Sequence, residues 1–301
     1  MQTKRLWLAY AVITMLAWGL WGAIINLPEK NGFPETLGYL AWSLTMIPPA
    51  AIALGMVGWK LEYDSKSLAL GLAAGLLGAG GQLLLFQTVP AMAPGYLVFP
   101  FIALSPLVTI VLAALISRER VQLLGWIGVA MAIVAGVLLN MGDVDPTVER
   151  HAAWALFAMG VLLAWGIQGY VISFANNTMK AESIFFYMAI TAVVLAPVAW
   201  LMTEKPLEAN WGGSGFWLSV AIGFLNSIGA LLLVYAYRYG KAIIVSPLIN
   251  AGAPVITALL SMVLSRAWPS AAAAVGIVLA IVAAILMAIE EEEEHPATEA
   301  A

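Results

Sequence analysis

Long stretches of this chain contain no Asp, Glu, Lys or Arg. They are Leu6–Ile25, Thr36–Trp59, Ser67–Ser117, Val121–Gly142, Ala152–Met179, Ser183–Thr203, Ala209–Tyr237, Ala242–Ser265 and Ala267–Ile289. A helix that crosses the hydrocarbon core of a bilayer needs about 20 mostly apolar residues. Seven of the runs hold one such helix each. Ala209–Tyr237 opens with the loop-like "ANWGGSG" and holds one more, and Ser67–Ser117 is long enough for two, joined at "VPAMAP". Lipid offers no partner to a bare N–H or C=O, so spans built from long rather than alternating apolar runs must be helices. The expectation is an all-α integral membrane protein with ten transmembrane helices. Composition agrees: 62% of residues are hydrophobic and 10% charged, against roughly 45–50% and about 25% in soluble domains.

The first run follows Lys4 and Arg5 and could be read as a signal peptide, but it is long and no A-x-A-like site follows it. It reads as a span. Zero cysteines exclude disulfides and thiolate metal sites. Residues 290–301, with Glu290–Glu294 in a row, read as a solvated acidic cytoplasmic tail, with partner docking as the lesser alternative. Cytoplasmic termini would place nine cations on the inner side: Lys4, Arg5, Lys60, Lys66, Arg118, Arg120, Lys180, Arg238 and Lys241. Lys30, Arg150, Lys205 and Arg266 would lie outside. The bias favours both termini inside, in a bacterial inner (plasma) membrane.

The chain also repeats itself. "LAWGLWG" at 16–22 returns as "LAWGIQG" at 163–169, and Glu35 matches Glu182 at the same offset of 147. At offset 148, Gly75 pairs with Gly223, Gly81 with Gly229, Pro106 with Pro254, Thr109 with Thr257 and Ser117-Arg118 with Ser265-Arg266. The units are 6–140 and 152–289, joined near "MGDVDPTVERH". Five spans is an odd number, so the second copy must enter the membrane upside down. Inverted-topology repeats are a recurrent plan of secondary transporters, in which each half supplies one wall and one gate of a shared pocket.

"PLVTIVLAALISRERVQLLGWIGVAMAIVAGVLL" (106–139) resembles the end of an EamA-type domain, in which a Pro-bearing helix, a short loop with an acidic residue (here Glu119) and a Gly-rich helix follow one another. "LAWG" near the start of each half fits as well. The chain is thus similar to the drug/metabolite transporter superfamily over residues 6 to 289, with two EamA units. Ala267 stands where the first unit has Glu119, so one loop–helix cap is lost in the second unit. The resemblance implies a carrier of amino acids, sugars, nucleotide-sugars, phosphorylated metabolites or drugs.

No ionisable residue lies well inside a predicted span, and the two histidines, His151 and His295, lie in a loop and in the tail. That argues against a carboxylate proton relay and against a deeply bound anion. The polar groups within spans are amides: Gln82, Gln87, Gln168, Asn226 and Asn250. An unpaired amide in lipid costs roughly 2–7 kcal/mol, so these face the bundle interior as interhelical glue or as cargo contacts. Trp18 and Trp21 lie three apart on one helix and Trp165 with Gln168 on its copy. They read either as packing beside a glycine stripe or as the aromatic wall of a cavity that Tyr96, Phe99 and Tyr235 extend. Such a cavity would suit a small polar or zwitterionic molecule, an amino acid or a sugar-like metabolite. Pro106 and Pro254 would free the carbonyls of Ile102 and Asn250 and act as hinges.

No catalytic set, metal cluster or nucleic-acid signal is present, and no cofactor is called for. The partners expected are a small-molecule substrate and the lipid bilayer, with the chain a monomer or homodimer. The reading is a secondary transporter working by alternating access, with export as one direction. The alternatives are a sugar or nucleotide-type carrier of the same fold, or a channel or lipid-handling protein.

Overall fold

A computed structural model of the chain describes residues 6–88, 98, 101–140, 153–265 and 268–294. Among these residues all regular structure is helical. The helices are α1 (Leu6–Ile24), α2 (Leu27–Lys30), α3 (Glu35–Thr45), α4 (Ile47–Met56), α5 (Ser65–Thr88) and α6 (Ser105–Leu112). They continue with α7 (Leu123–Asn140), α8 (Trp154–Asn176), α9 (Ala181–Leu201), α10 (Leu218–Tyr239), α11 (Ala242–Ser265) and α12 (Ala271–Glu294). One π-helical turn extends α6 to Ser117 and another, Gly213–Trp217, precedes α10. Seven helical segments among the described residues are long and apolar enough to cross a membrane. Three further apolar segments, Ser105–Ser117, Leu123–Leu139 and Ala271–Met287, are shorter.

The structure departs from the expected spans in three places. The second span is not one helix: α3 stops at Thr45 and α4 restarts beyond Met46. Pro48 and Pro49 have no N–H to give to the carbonyls four residues back, so the ladder is interrupted there. Pro106 does not lie mid-helix either; it stands in the first turn of α6, where a missing N–H costs nothing. Pro254, by contrast, lies inside the continuous α11 together with Pro247. Third, α12 runs on through Glu294, so the first acidic residues of the tail extend the last helix.

Local chemistry explains the helix ends. Asp64 accepts bonds from the amides of Lys66 and Ser67 at 3.1 Å each and so caps α5. The bond from the Ser67 hydroxyl, followed by these amide bonds, holds the Asp64 carboxyl below its usual range. Glu119, in the loop after α6, accepts the amide of Ile243 at 3.1 Å and caps the start of α11. The acidic loop residue thus caps a helix of the other half. Arg118, at φ 54°, turns the chain out of the π-helical turn in the left-handed conformation.

The two halves interlock instead of sitting side by side. α1 packs on α10 and α11; its copy α8 packs on α5 and α6. α3 meets α10 as α9 meets α5, and α7 lies against α12 and α11. The atoms repeat the exchange. Thr257 donates to the carbonyl of Gly19 at 2.9 Å, and Thr109 to that of Gly166 at 2.8 Å. The indole of Trp18 donates to the carbonyl of Asn226 at 3.1 Å; that of Trp165 donates to Gly78 at 3.3 Å. Each pair of partners stands 147 or 148 residues apart in the sequence. Glycine makes the approach feasible: a Cβ on Gly166 would stand 2.5 Å from Val108 Cβ and 2.6 Å from the Ser105 carbonyl oxygen. One on Gly19 would overlap Ile256 and lie 3.0 Å from the Ala253 carbonyl oxygen.

Gly166→Ala is therefore expected to destabilise the chain by about 1–3 kcal/mol through overpacking. Gly80, which has nothing within 4 Å of a built Cβ, should accept alanine at no cost. Thermal unfolding in detergent compares the two, and equal melting temperatures would contradict the interlock. Acid should fray the start of α5. The Asp64 carboxylate is depressed in the fold, so its contribution is present above about pH 4, the unfolded value. It is lost as the pH falls through the lower, folded value. Hydrogen exchange at Lys66 and Ser67 should rise in that window, and in Asp64→Ala at neutral pH.

Candidate functional site: a cavity between the halves

A cavity of about 50 Å³, open to the exterior on one side, lies among α1, α2, α3, α5 and α10. It draws on both halves of the chain. Aromatic rings form much of its wall: Trp21 from α1, Tyr39 and Trp42 from α3, and Phe86 from α5. Tyr39 fixes the arrangement. Its ring meets Trp42 edge-on at a centroid distance of 5.1 Å and Phe86 at 6.4 Å, and its hydroxyl donates to the Ala192 carbonyl at 3.1 Å. Gln82 and Asn226 add amides from α5 and α10. Ser219, Gly38 and Gly223 are small enough to let α3 and α10 approach each other; a Cβ on Gly223 would lie 3.2 Å from Trp42 Cα. The charged lining residues are Glu29 and Glu35, from α2 and the first turn of α3.

At the opposite end of α1 the side chains pack on one another. Tyr10 stacks on Tyr235 at 5.2 Å and on Tyr239 at 5.9 Å, which closes α1 against α10. Tyr235 donates its hydroxyl to Glu182 at 2.7 Å. Beside it, Arg238 donates to the Met179 carbonyl at 3.2 Å, and Lys180 N–H donates to Glu62 Oε2 at 2.6 Å. Glu182 is the repeat counterpart of Glu35. One copy of this carboxylate is thus tied into a tyrosine cluster, and the other lines the open cavity.

Of the residues expected to bind cargo, the structure brings Trp21, Gln82 and Asn226 to this cavity. The others are placed elsewhere. Trp18 fills the space over Gly229 and Trp165 that over Gly81, each with its N–H committed to a carbonyl of the other half. Gln168 packs on Gly78. Asn250 donates to the Ser246 carbonyl of its own helix at 2.9 Å, and the Asn250 carbonyl that Pro254 cannot bond faces Gly136 of α7. Tyr235 belongs to the closed end. Tyr96, Phe99 and the side chain of Gln87 lie outside the described residues. Sequence reasoning passed over Tyr39, Trp42 and Phe86. The 39/42 spacing, one helical turn, was the available signal, together with the return of Glu35 as Glu182.

The model of the EamA-like transporter family matches residues 5–141 and again 152–289. The chain belongs to the EamA-like transporter family. It is an integral, multi-pass membrane transporter of the drug/metabolite transporter superfamily, built of two EamA repeats. It is similar to Protein RarD of Streptomyces exfoliatus, 26% identical over 252 residues that cover 78% of this chain and 72% of that protein. A solved crystal structure with 20% identity superposes with a TM-score of 0.74 over 93% of this chain and 98% of the other. That likeness concerns the fold.

The tyrosine cluster generates a prediction. The chain has no cysteine, so a single Thr14→Cys, buried one turn from Tyr10 on α1, reports access from the closed end. Adding Tyr235→Phe removes the bond to Glu182. The rate of labelling by a water-soluble maleimide should then rise about tenfold, equivalent to losing one hydrogen bond of roughly 1.4 kcal/mol. An unchanged rate would show that this contact does not hold the end shut.

Proposed function

We propose that this EamA protein is a secondary transporter that carries a small polar or zwitterionic metabolite, such as an amino acid, by alternating access. In this reading the ten helices form two five-helix units, 6–140 and 152–289, inserted in opposite directions, with residues 290–301 as an acidic tail. Both termini face the cytoplasm of a bacterium, and the cavity at Glu35 opens to the outside. The observation that carries the reading is the unequal state of two equivalent places. The mouth at Glu35 leads to a cavity, while the matching mouth at Glu182 is sealed by Tyr235 and Tyr10.

If the halves trade conformations about their interlocked α1 and α8, the seal passes from one mouth to the other. Each ligand contact then comes from a helix that packs on the opposite half, so cargo and gate share elements. Export would load the cavity from the cytoplasmic face and release it through the Glu35 mouth.

Counterflow tests the carrier mechanism. Purified protein is first screened by thermal shift against amino acids, sugars and nucleotides, since a ligand that favours the folded state raises the melting temperature. Proteoliposomes loaded with the best stabiliser should then take up the same labelled solute transiently against its gradient. Trp21→Ala and Gln82→Ala should each lower uptake about tenfold at unchanged melting temperature, a loss of roughly 1.4 kcal/mol. Trp18→Ala should instead lower the melting temperature itself. Downhill flux without counterflow would identify a channel and end the carrier reading.

A further inference from the structure

The cavity has a charge polarity that the expectation of a zwitterionic cargo does not use. Its charged lining residues among those described are both acidic, Glu29 and Glu35, with no Lys, Arg or His among them. Glu35 is half-buried at the first turn of α3, and no hydrogen bond or ion pair ties its carboxylate among the described residues. Its counterpart Glu182 has the Tyr235 hydroxyl. Five aromatic residues line the same cavity, and their rings have faces that attract cations and bodies that take apolar surface. A second, independent feature asks for a polar partner: the indole N–H of Trp42, a residue that lines the same cavity, is buried and has no acceptor among the described residues. A buried donor left without an acceptor is costly, and an acceptor on the occupant would complete it.

Resting on the carrier reading above, we propose that the cavity selects an organic cation. The cargo is an amine or ammonium whose positive group sits at Glu35 beside the rings of Tyr39 and Trp42. An apolar body extends between the rings and bears a hydroxyl, ether or carbonyl oxygen for the Trp42 N–H. Gln82 and Asn226 complete a neutral floor. A free carboxylate on the same molecule meets no cation here and is repelled by two carboxylates, so an amino acid binds less well than the amine it would give without its carboxylate.

Three probes with one phenolic body separate the charge terms: tyramine, tyrosine and 3-(4-hydroxyphenyl)propionate. Full-length purified protein is titrated with each at about pH 7, where amine and carboxylate are both ionised, and affinity is read from the concentration dependence of the melting temperature. Tyramine should bind about tenfold or more tighter than the propionate, with tyrosine between them. Glu35→Gln should reduce the tyramine-to-propionate ratio about fivefold or more. Should that variant not fold, Glu29→Gln, in the exposed α2, should reduce it about twofold to threefold. Trp42→Phe, which keeps a ring and removes the N–H, should weaken all three probes alike. An anion that binds as well as the amine, a charge order that survives both substitutions, or no binding of any probe at about 10 mM overturns the proposal. Counterflow of some other solute alongside such a result leaves the carrier reading standing; absence of counterflow for every solute removes that reading instead.

Discussion

Within lipid, apolar helices gain nothing by leaving one apolar surroundings for another, so a bundle depends on how closely its backbones can approach. In this chain the closest approaches are those of α1 and α8 to the opposite half. Gly19 and Gly166 have no side chain where Ile256 and Val108 press in, and Gly22 and Gly169 leave room for the hydroxyls of Thr257 and Thr109. The same threonines donate to glycine carbonyls one turn away. Packing and hydrogen bonding thus fall on the same few residues. Every strong contact of α1 and α8 crosses between the units, so neither unit buries its first helix by itself.

That constraint explains why the aromatic side chains near the repeated motif divide into two kinds. Trp18 and Trp165 stand beside the glycines and are held by carbonyls of the other half, as the repeat requires of both. Trp21, one turn on, faces the cavity, while its counterpart Gln168 packs on Gly78. Residues that match between the units hold the interlock together; residues that differ give the two sides their separate chemistry. The cavity wall follows the same rule. At an offset of 147 Trp42 becomes Ala189, and at 148 Gln82 and Phe86 become Ala230 and Val234.

Much of the architecture was legible in the sequence because a membrane protein writes its spans as an absence of charge. The charge-free runs, the repeat with its offset of 147 to 148, and the family resemblance came from residues that stand out against an apolar background: Trp-Gly, Pro, Ser-Arg. The site was far less legible. In a soluble helix the polar face marks the outside, but here both faces are apolar, and periodicity cannot tell a lipid-facing leucine from a cavity-facing tyrosine. Hence nothing in the sequence sets Tyr39 and Trp42 apart, whereas the repeat marks Trp18 and Trp165. The break at Met46 was written in Pro48-Pro49, yet an apolar count spans it without a mark. Glu35 and Glu182 were visible as a matched pair. That one is bonded and the other lines a cavity depends on Tyr235, fifty-three residues from Glu182 and on a different helix.

The divergence of the two mouths bears on energetics as well as recognition. Were the units identical, an exchange of conformations would cost nothing and the two end states would be equally populated. They are not identical. The seal on the Glu182 side uses Tyr10 and Tyr235; the positions 147 and 148 residues away hold Phe157 and Gln87. Phe157 has no hydroxyl, and an amide neither stacks as a phenol does nor matches its donor geometry toward a carboxylate. On the proposed exchange of conformations, the two closed ends would therefore differ in strength, and the resting population would tilt toward the state with the tyrosine seal intact. A ligand shifts such an equilibrium only by its differential affinity for the two states. With the cation proposed above, neutralising Glu35 would stabilise the open Glu35 mouth, and the net bias would be the difference between that contact and the Tyr235–Glu182 bond.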